Sequence, residues 1–159
     1  MSDHATIDSR PRYRNTQPGT VIRISMLAVI ILFLVLGLKT YSAMYLYLIP
    51  TALALALFHS LTTKVTDDSI VIWFGVGLIR RTIAIAQVKE CVPVRNPWYI
   101  GWGIRLVPGV GWLWNVSGFD SVELEYVNGK RFRIGTDEPE ELAAAIMQVV
   151  GGQKDTDPA

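Results

Sequence analysis

Between Ile24 and Thr63 the chain carries a single charged residue, Lys39. An uncharged window of this length cannot form the surface of a small water-soluble domain, so it constrains what the remainder can fold into. Elsewhere the balance is ordinary: the 159 residues include 15 Lys and Arg against 14 Asp and Glu. The 50% hydrophobic content and mean hydropathy of +0.31 are therefore a local excess. There is room for a membrane anchor and one compact domain of about 90 residues. Collagenous, coiled-coil and wholly disordered chains are excluded, as is a large multidomain enzyme.

Two stretches fill the window. Residues 24–38, ISMLAVIILFLVLGL, are bounded by Arg23 and Lys39. Counted to those ends, they give about 25 Å of helix, which snorkelling of both basic side chains extends toward a hydrocarbon core of about 30 Å. Residues 43–61, AMYLYLIPTALALALFHSL, are also uncharged, and Pro50 predicts a kink near 47–50. Separated by KTYS, the two read as a two-helix transmembrane hairpin over 21–62. One span with a re-entrant or interfacial partner is the alternative. The long apolar run, Tyr41 near the only cleavage-like site and the second stretch argue against a cleaved signal peptide. Arg10, Arg12, Arg14 and Arg23 precede the window and Lys64, Arg80 and Arg81 follow it, against Lys39 within. That asymmetry predicts a multi-pass plasma-membrane protein with both termini cytoplasmic. Ala52, Ala56 and Ser60 recur every four residues, either as a helix-packing stripe or as the chance result of frequent alanine.

Past Thr63 the pattern changes to short strands punctuated by Gly, Asn, Asp and Pro. Candidates are 61–66, 69–74, 78–85, 88–94, 103–107, 111–115, 121–126 and 130–135, without an interleaved helix. The last two are specified in register. A loop of Val127, Asn128 and left-handed Gly129 opposes Leu124 to Phe132 and Val122 to Ile134, and pairs Glu125 with Arg131 and Glu123 with Arg133. Asp137 and Glu140 have capping-box spacing and Pro139 suits a first turn. Leu142, Ala145, Ile146 and Val149 then form one apolar stripe that Gly151-Gly152 should end. The predicted divisions are a disordered cytoplasmic arm 1–20, the hairpin 21–62, a β-domain with its closing helix 63–150, and a disordered tail 151–159.

The motifs SIVIWFG, RNPWYIGWGIR, GWLWNVSG and GKRFRIGTDEPEELAAAI lie between Ser69 and Ile146. Following an apolar hairpin, they resemble small bacterial, in particular actinobacterial, membrane proteins that carry a pleckstrin-homology-like domain. The resemblance covers roughly 61–150. It implies a mainly-β, seven-stranded bent barrel capped by a C-terminal helix, so that one of the eight candidate strands, near Cys91 or Trp112, should merge or become loop. It implies no particular functional residue. The basic first hairpin loop of phosphoinositide-binding members is replaced here by Asp67-Asp68.

Catalytic chemistry is not legible. His4 and His59 lie outside the β-domain and Cys91 is alone, so no nucleophilic set, zinc site, disulfide or cofactor is expected. The charge balance supplies no nucleic-acid footprint. The glycine clusters lack phosphate-loop spacing, and nothing brings Glu90 to Asp120. The unusual feature is aromatic: Trp98, Tyr99, Trp102, Trp112 and Trp114, flanked by Arg95 and Arg105. Trp73 and Trp114 are expected in the core. Trp98, Tyr99 and Trp102, in a loop rich in Gly and Pro, suit the headgroup layer or a protein-binding groove, with barrel core as the alternative. The expected function is a membrane-tethered cytoplasmic interaction or assembly module without catalytic activity. Its partners would be the lipid bilayer and another membrane or cytoplasmic protein, or a second copy. The alternative is an anionic-lipid-sensing module using Arg95, Arg105 and the aromatic loop.

Overall fold

Strand pairing sorts the β-forming segments into two open sheets. The structure, a computed structural model, describes residues 11–39 and 42–156. The first sheet is antiparallel, in the order β1 (Tyr13–Pro18), β2 (Ser60–Val65), β3 (Ser69–Phe74), β4 (Arg80–Ala84). The second runs β5 (Val88–Arg95), β8 (Asp120–Tyr126), β9 (Arg131–Gly135), β7 (Gly111–Asn115), β6 (Gly103–Val107), with β7 and β9 parallel. Helix α3 (Pro139–Thr156) packs on β5 and β8. The core joins Leu61, Ile72 and Phe74 of one sheet to Val122, Leu124 and Phe132 of the other, closed by Leu142 and Ile146. Trp114 sits between the sheets, its ring 5.2 Å from that of Phe74 and 5.9 Å from that of Phe132.

The apolar window lies between β1 and β2. Helix α1 (Thr20–Lys39) leads out, and a 3₁₀ segment, Ser42–Tyr47, followed by α2 (Leu48–Phe58) leads back. The limbs touch along their length, with Phe33 stacked on Tyr47 at 5.3 Å. At the foot, the Gly19 N–H donates to the His59 carbonyl at 2.9 Å, while Pro18 opposes Ser60 as the β1–β2 ladder begins.

Several expectations are corrected. The apolar stretch 43–61 does not make a second spanning helix: α2 has 11 residues, about 16 Å, and Ser60 and Leu61 belong to β2. Proline explains the shortfall. Pro50 has no N–H for a carbonyl four residues earlier and its ring crowds that turn, so it sits in the first turn of α2 with 3₁₀ backbone before it. Only α1 is long and apolar enough to cross a membrane among the described residues. The two-helix transmembrane hairpin and the multi-pass localisation with both termini cytoplasmic are thereby overturned.

The pleckstrin-homology-like barrel is overturned as well. All eight candidate strands form, a ninth joins them, and the result is a mixed α/β fold of two open sheets instead of a closed seven-stranded barrel. The ninth is β1, in the arm expected to be disordered. It is held by six paired positions with β2 and by Tyr13 and Asn15, which donate to Glu138 and Asp137 at 3.0 and 2.8 Å. Residues 1–10, Thr40, Tyr41 and 157–159 lie outside the described residues. Finally, α3 passes through Gly151 and Gly152 to Thr156, where Gln153 donates to the Asp67 carbonyl at 3.0 Å and gives that end a tertiary anchor. Its start differs too. The Thr136 hydroxyl accepts the Glu138 N–H, and Asp137 is engaged by Asn15 instead of capping.

The last hairpin forms in the expected register, with Leu124 opposite Phe132, Glu123 opposite Arg133, and Gly129 at φ 76°. Glu123 accepts from Arg133 at 2.7 Å, whereas Glu125 takes Lys89 of the neighbouring β5 at the same distance.

Candidate functional site

The foot of the helical hairpin is where apolar surface, basic side chains and the β-domain meet. Neither α1 nor α2 contains a buried residue, although both are almost wholly apolar. The base, by contrast, is fixed to the domain. Ile22 and Phe58 pack against the core, and the Phe58 ring meets Phe74 edge-on at 5.3 Å. Arg23 donates through Nε to the His59 carbonyl at 2.9 Å, placing a cation where the carbonyls of α2 end. The His59 ring nitrogen Nδ1 is 2.9 Å from the Ala56 carbonyl oxygen.

Two loops flank this foot. On one side the β3–β4 turn passes so close to the end of α2 that a Cβ on Gly75 would collide with the Ala56 carbonyl. Gly75 has φ +43° and its N–H donates to Ser60. The turn thrusts out Val76 and Leu78, 69% and 80% exposed. On the other side, Ser117 donates its hydroxyl to the Pro18 carbonyl at 2.7 Å and accepts the Gln17 side-chain amide at its own carbonyl at 2.9 Å. The next residue, Gly118, accepts the Trp102 indole N–H at 3.0 Å. This relay ties the aromatic loop to the end of β1 from which α1 departs.

Within that loop the aromatic residues divide. Trp102 is half-buried against Phe119, whereas Trp98 and Tyr99, 78% and 70% exposed, stack edge-on with each other at 6.1 Å. Ile100, buried between them and Trp102 in sequence, anchors the turn. Arg105 donates to the Trp102 carbonyl at 3.0 Å and holds the loop's own backbone. Arg95 is exposed, 3.6 Å from Asp120. Ala52 and Ala56 line an apolar groove with Arg23, Leu27, Leu55 and His59, but Ser60 lies past the helix end, buried in β2, and breaks the stripe.

Trp73 departs from the expectation of a core position. Ile72 and Phe74 face inward, so alternation turns Trp73 to the outer face, beneath the Arg14 guanidinium at 5.8 Å. That pattern was readable in SIVIWF. Val76 and Leu78 were not singled out from sequence, because only the approach of Gly75 to α2 puts their turn at the foot.

Electrostatic shifts lie away from this surface. Burial raises the Tyr13 hydroxyl to about 12, reinforced by its bond to Glu138, and burial likewise raises the Cys91 thiol to about 11. A buried thiol held protonated is a poor nucleophile. Among the described residues no group of three His, Cys, Asp or Glu side chains could hold a metal ion. No protein-family model matches the chain, and no curated protein matches it in sequence.

Proposed function

We propose that this protein is a membrane-tethered, non-catalytic interaction module. Helix α1, the one helix of spanning length among the described residues, supplies the apolar anchor, and the β-domain locked to its base stays at the membrane surface. The observation that carries this reading is the absence of any fully buried residue along a 20-residue apolar helix whose base is locked into a well-packed domain. Exposed apolar area of that extent in water is strongly unfavourable, at about 25 cal/mol per Å². Hydrocarbon removes the penalty, and a 20-residue helix is about 30 Å long, the thickness of that layer.

The flanking loops support the same orientation. Val76 and Leu78 beside the end of α2, and Trp98 and Tyr99 on the loop tied to the end of β1, are suited to the headgroup boundary, where an apolar body leaves water and a polar edge stays hydrated. The sheets then present their far ends to the aqueous side, where a protein partner or a second copy can be engaged.

Nitroxide labels at Leu32, Leu78 and Asp68 test the arrangement in lipid vesicles. Oxygen accessibility should dominate at Leu32, both relaxants should act at Leu78, and a water-soluble nickel chelate should dominate at Asp68. Nickel accessibility at Leu32 equal to that at Asp68 would overturn the reading.

A further inference from the structure

The outer face of the first sheet holds a concentration of unpaired positive charge that the tether does not require. Register places it: Thr62, Trp73 and Arg80 form one row across β2, β3 and β4, and Arg14, Lys64 and Val71 form the next row on the same face. Arg14, Lys64, Trp73 and Arg80, with Thr66 and Ser69, line an open cavity of about 600 Å³. Among the described residues no Asp or Glu lines it. None of the three cations makes an ion pair among the described residues, whereas Arg12, at the far end of β1, is paired with Asp67.

The rows also have a depth. Measured along the strand from Ser60 at the hairpin foot, the row of Arg80 lies about 7 Å away and that of Arg14 and Lys64 about 14 Å. The headgroup layer is about 5–8 Å thick and the screening length at physiological salt is about 8 Å. The first row therefore falls within the headgroups and the second within one screening length of them. Asp67 and Asp68 lie in the turn beyond the opposite end of β2, past Val65 at about 17 Å from Ser60, where they do not oppose an anionic surface.

We propose that this face binds the phosphate groups of anionic lipid headgroups. Arg80 and the Trp73 ring would meet the headgroup layer, while Arg14 and Lys64 attract the anionic surface from just outside. The inference deepens the tethering reading and rests on it for the depth of the rows. A lipid is favoured over a single free anion because the cations are spread over two rows of an open sheet, whose ladder already uses the backbone N–H groups. The surface is separate from Arg95 and Arg105, which are engaged by Asp120 and the Trp102 carbonyl.

The test uses the full chain in detergent micelles, titrated with dioctanoyl phosphatidylglycerol, dioctanoyl phosphatidylcholine or inorganic phosphate and read by the Trp73 indole resonance and the amides of β1–β4. Phosphatidylglycerol should give a saturable shift that the other two do not. Each basic side chain near an anionic surface is worth about fivefold in affinity. Arg80→Gln alone should therefore raise the half-saturation point about fivefold, and the combination of Arg14→Gln, Lys64→Gln and Arg80→Gln at least tenfold. The single variant decides the matter should the triple variant unfold. Equal shifts with phosphatidylcholine, saturation by inorganic phosphate, or unchanged affinity in the variants would each overturn the proposal. Flotation of the unmodified chain with neutral vesicles is a separate measurement, and its failure would count against tethering while the micelle titration still judges the phosphate site.

Discussion

The helical hairpin and the two-sheet domain use their apolar residues in opposite ways. In the domain, alternation directs Ile70, Ile72 and Phe74 inward, and each is fully enclosed. In α1 apolar residues occupy the whole circumference and none is enclosed. The difference lies in pattern as well as in content: a period of two gives a sheet one face to bury, whereas a helix apolar all round needs an apolar surrounding. The joint between the regions is correspondingly specific, made by Phe58 on Phe74 and by Gly75 against the end of α2.

The contrast can be broken first at its energetic centre. Phe132→Ala, at a fully buried ring between the sheets, should cost about 3–5 kcal/mol in denaturant unfolding of the full chain in mild detergent. Leu32→Ala in α1 should cost under about 1 kcal/mol in the same assay, since no packed protein cavity is created. Equal costs would show that the hairpin is packed like a core.

Two glycines sharpen the role of the joint. Both have positive φ, but a Cβ on Gly75 meets the Ala56 carbonyl while one on Gly129 meets nothing within 4 Å. Gly129→Val should therefore show backbone strain alone, about 1–2 kcal/mol, and Gly75→Val should exceed it and loosen the hairpin against the domain. Amide exchange at the start of β2 reads the second effect.

A smaller effect appears at high pH. The folded state raises Cys91 from 9.0 to about 11 and Tyr13 from 10.0 to about 12, so each contributes stability below its ordinary value that is lost as pH rises through the folded value. Stability should decline from about pH 9 to 12, and Tyr13→Phe should remove the part between about pH 10 and 12. Least of all, the pair Trp98→Ser and Tyr99→Ser should change unfolding free energy by no more than about 0.5 kcal/mol. Trp102→Ser should cost more, because the bond to Gly118 is lost.

Legibility in the sequence followed the range of the interactions. The β8–β9 hairpin was readable to the residue because loop length and alternation fix register locally. The strands from 61 onward were readable for the same reason. The β1 strand was not: YRNTQP has no apolar alternation and is a strand only because the hairpin returns β2 beside it, 46 residues later at Thr16 and Thr62. Parallel pairing of β7 with β9 has no local sequence signal either. The length of the second apolar stretch misled, since Pro50 and the onset of β2 inside it leave α2 too short to match α1. At the candidate site, Trp98, Tyr99 and Trp102 were identifiable as a group, but their division into two exposed rings and one anchored ring depends on Gly118. The outer-face cations Arg14, Lys64 and Arg80 are 66 residues apart in sequence from first to last and become neighbours only through three strand pairings.

Removing the hairpin tests membrane tethering most directly. Gly19 and His59 already touch through a backbone hydrogen bond, so residues 20–58 can be replaced by a short glycine-rich turn that preserves the β1–β2 ladder. Full-length and shortened proteins are then compared by flotation with neutral phosphatidylcholine vesicles and by amide exchange of the core strands. The full chain should float and resist alkaline extraction, and the shortened protein should keep its core protection yet remain with the unbound fraction. Recovery of the full chain in the unbound fraction, or flotation of the shortened, folded protein as complete as that of the full chain, would contradict tethering by the hairpin.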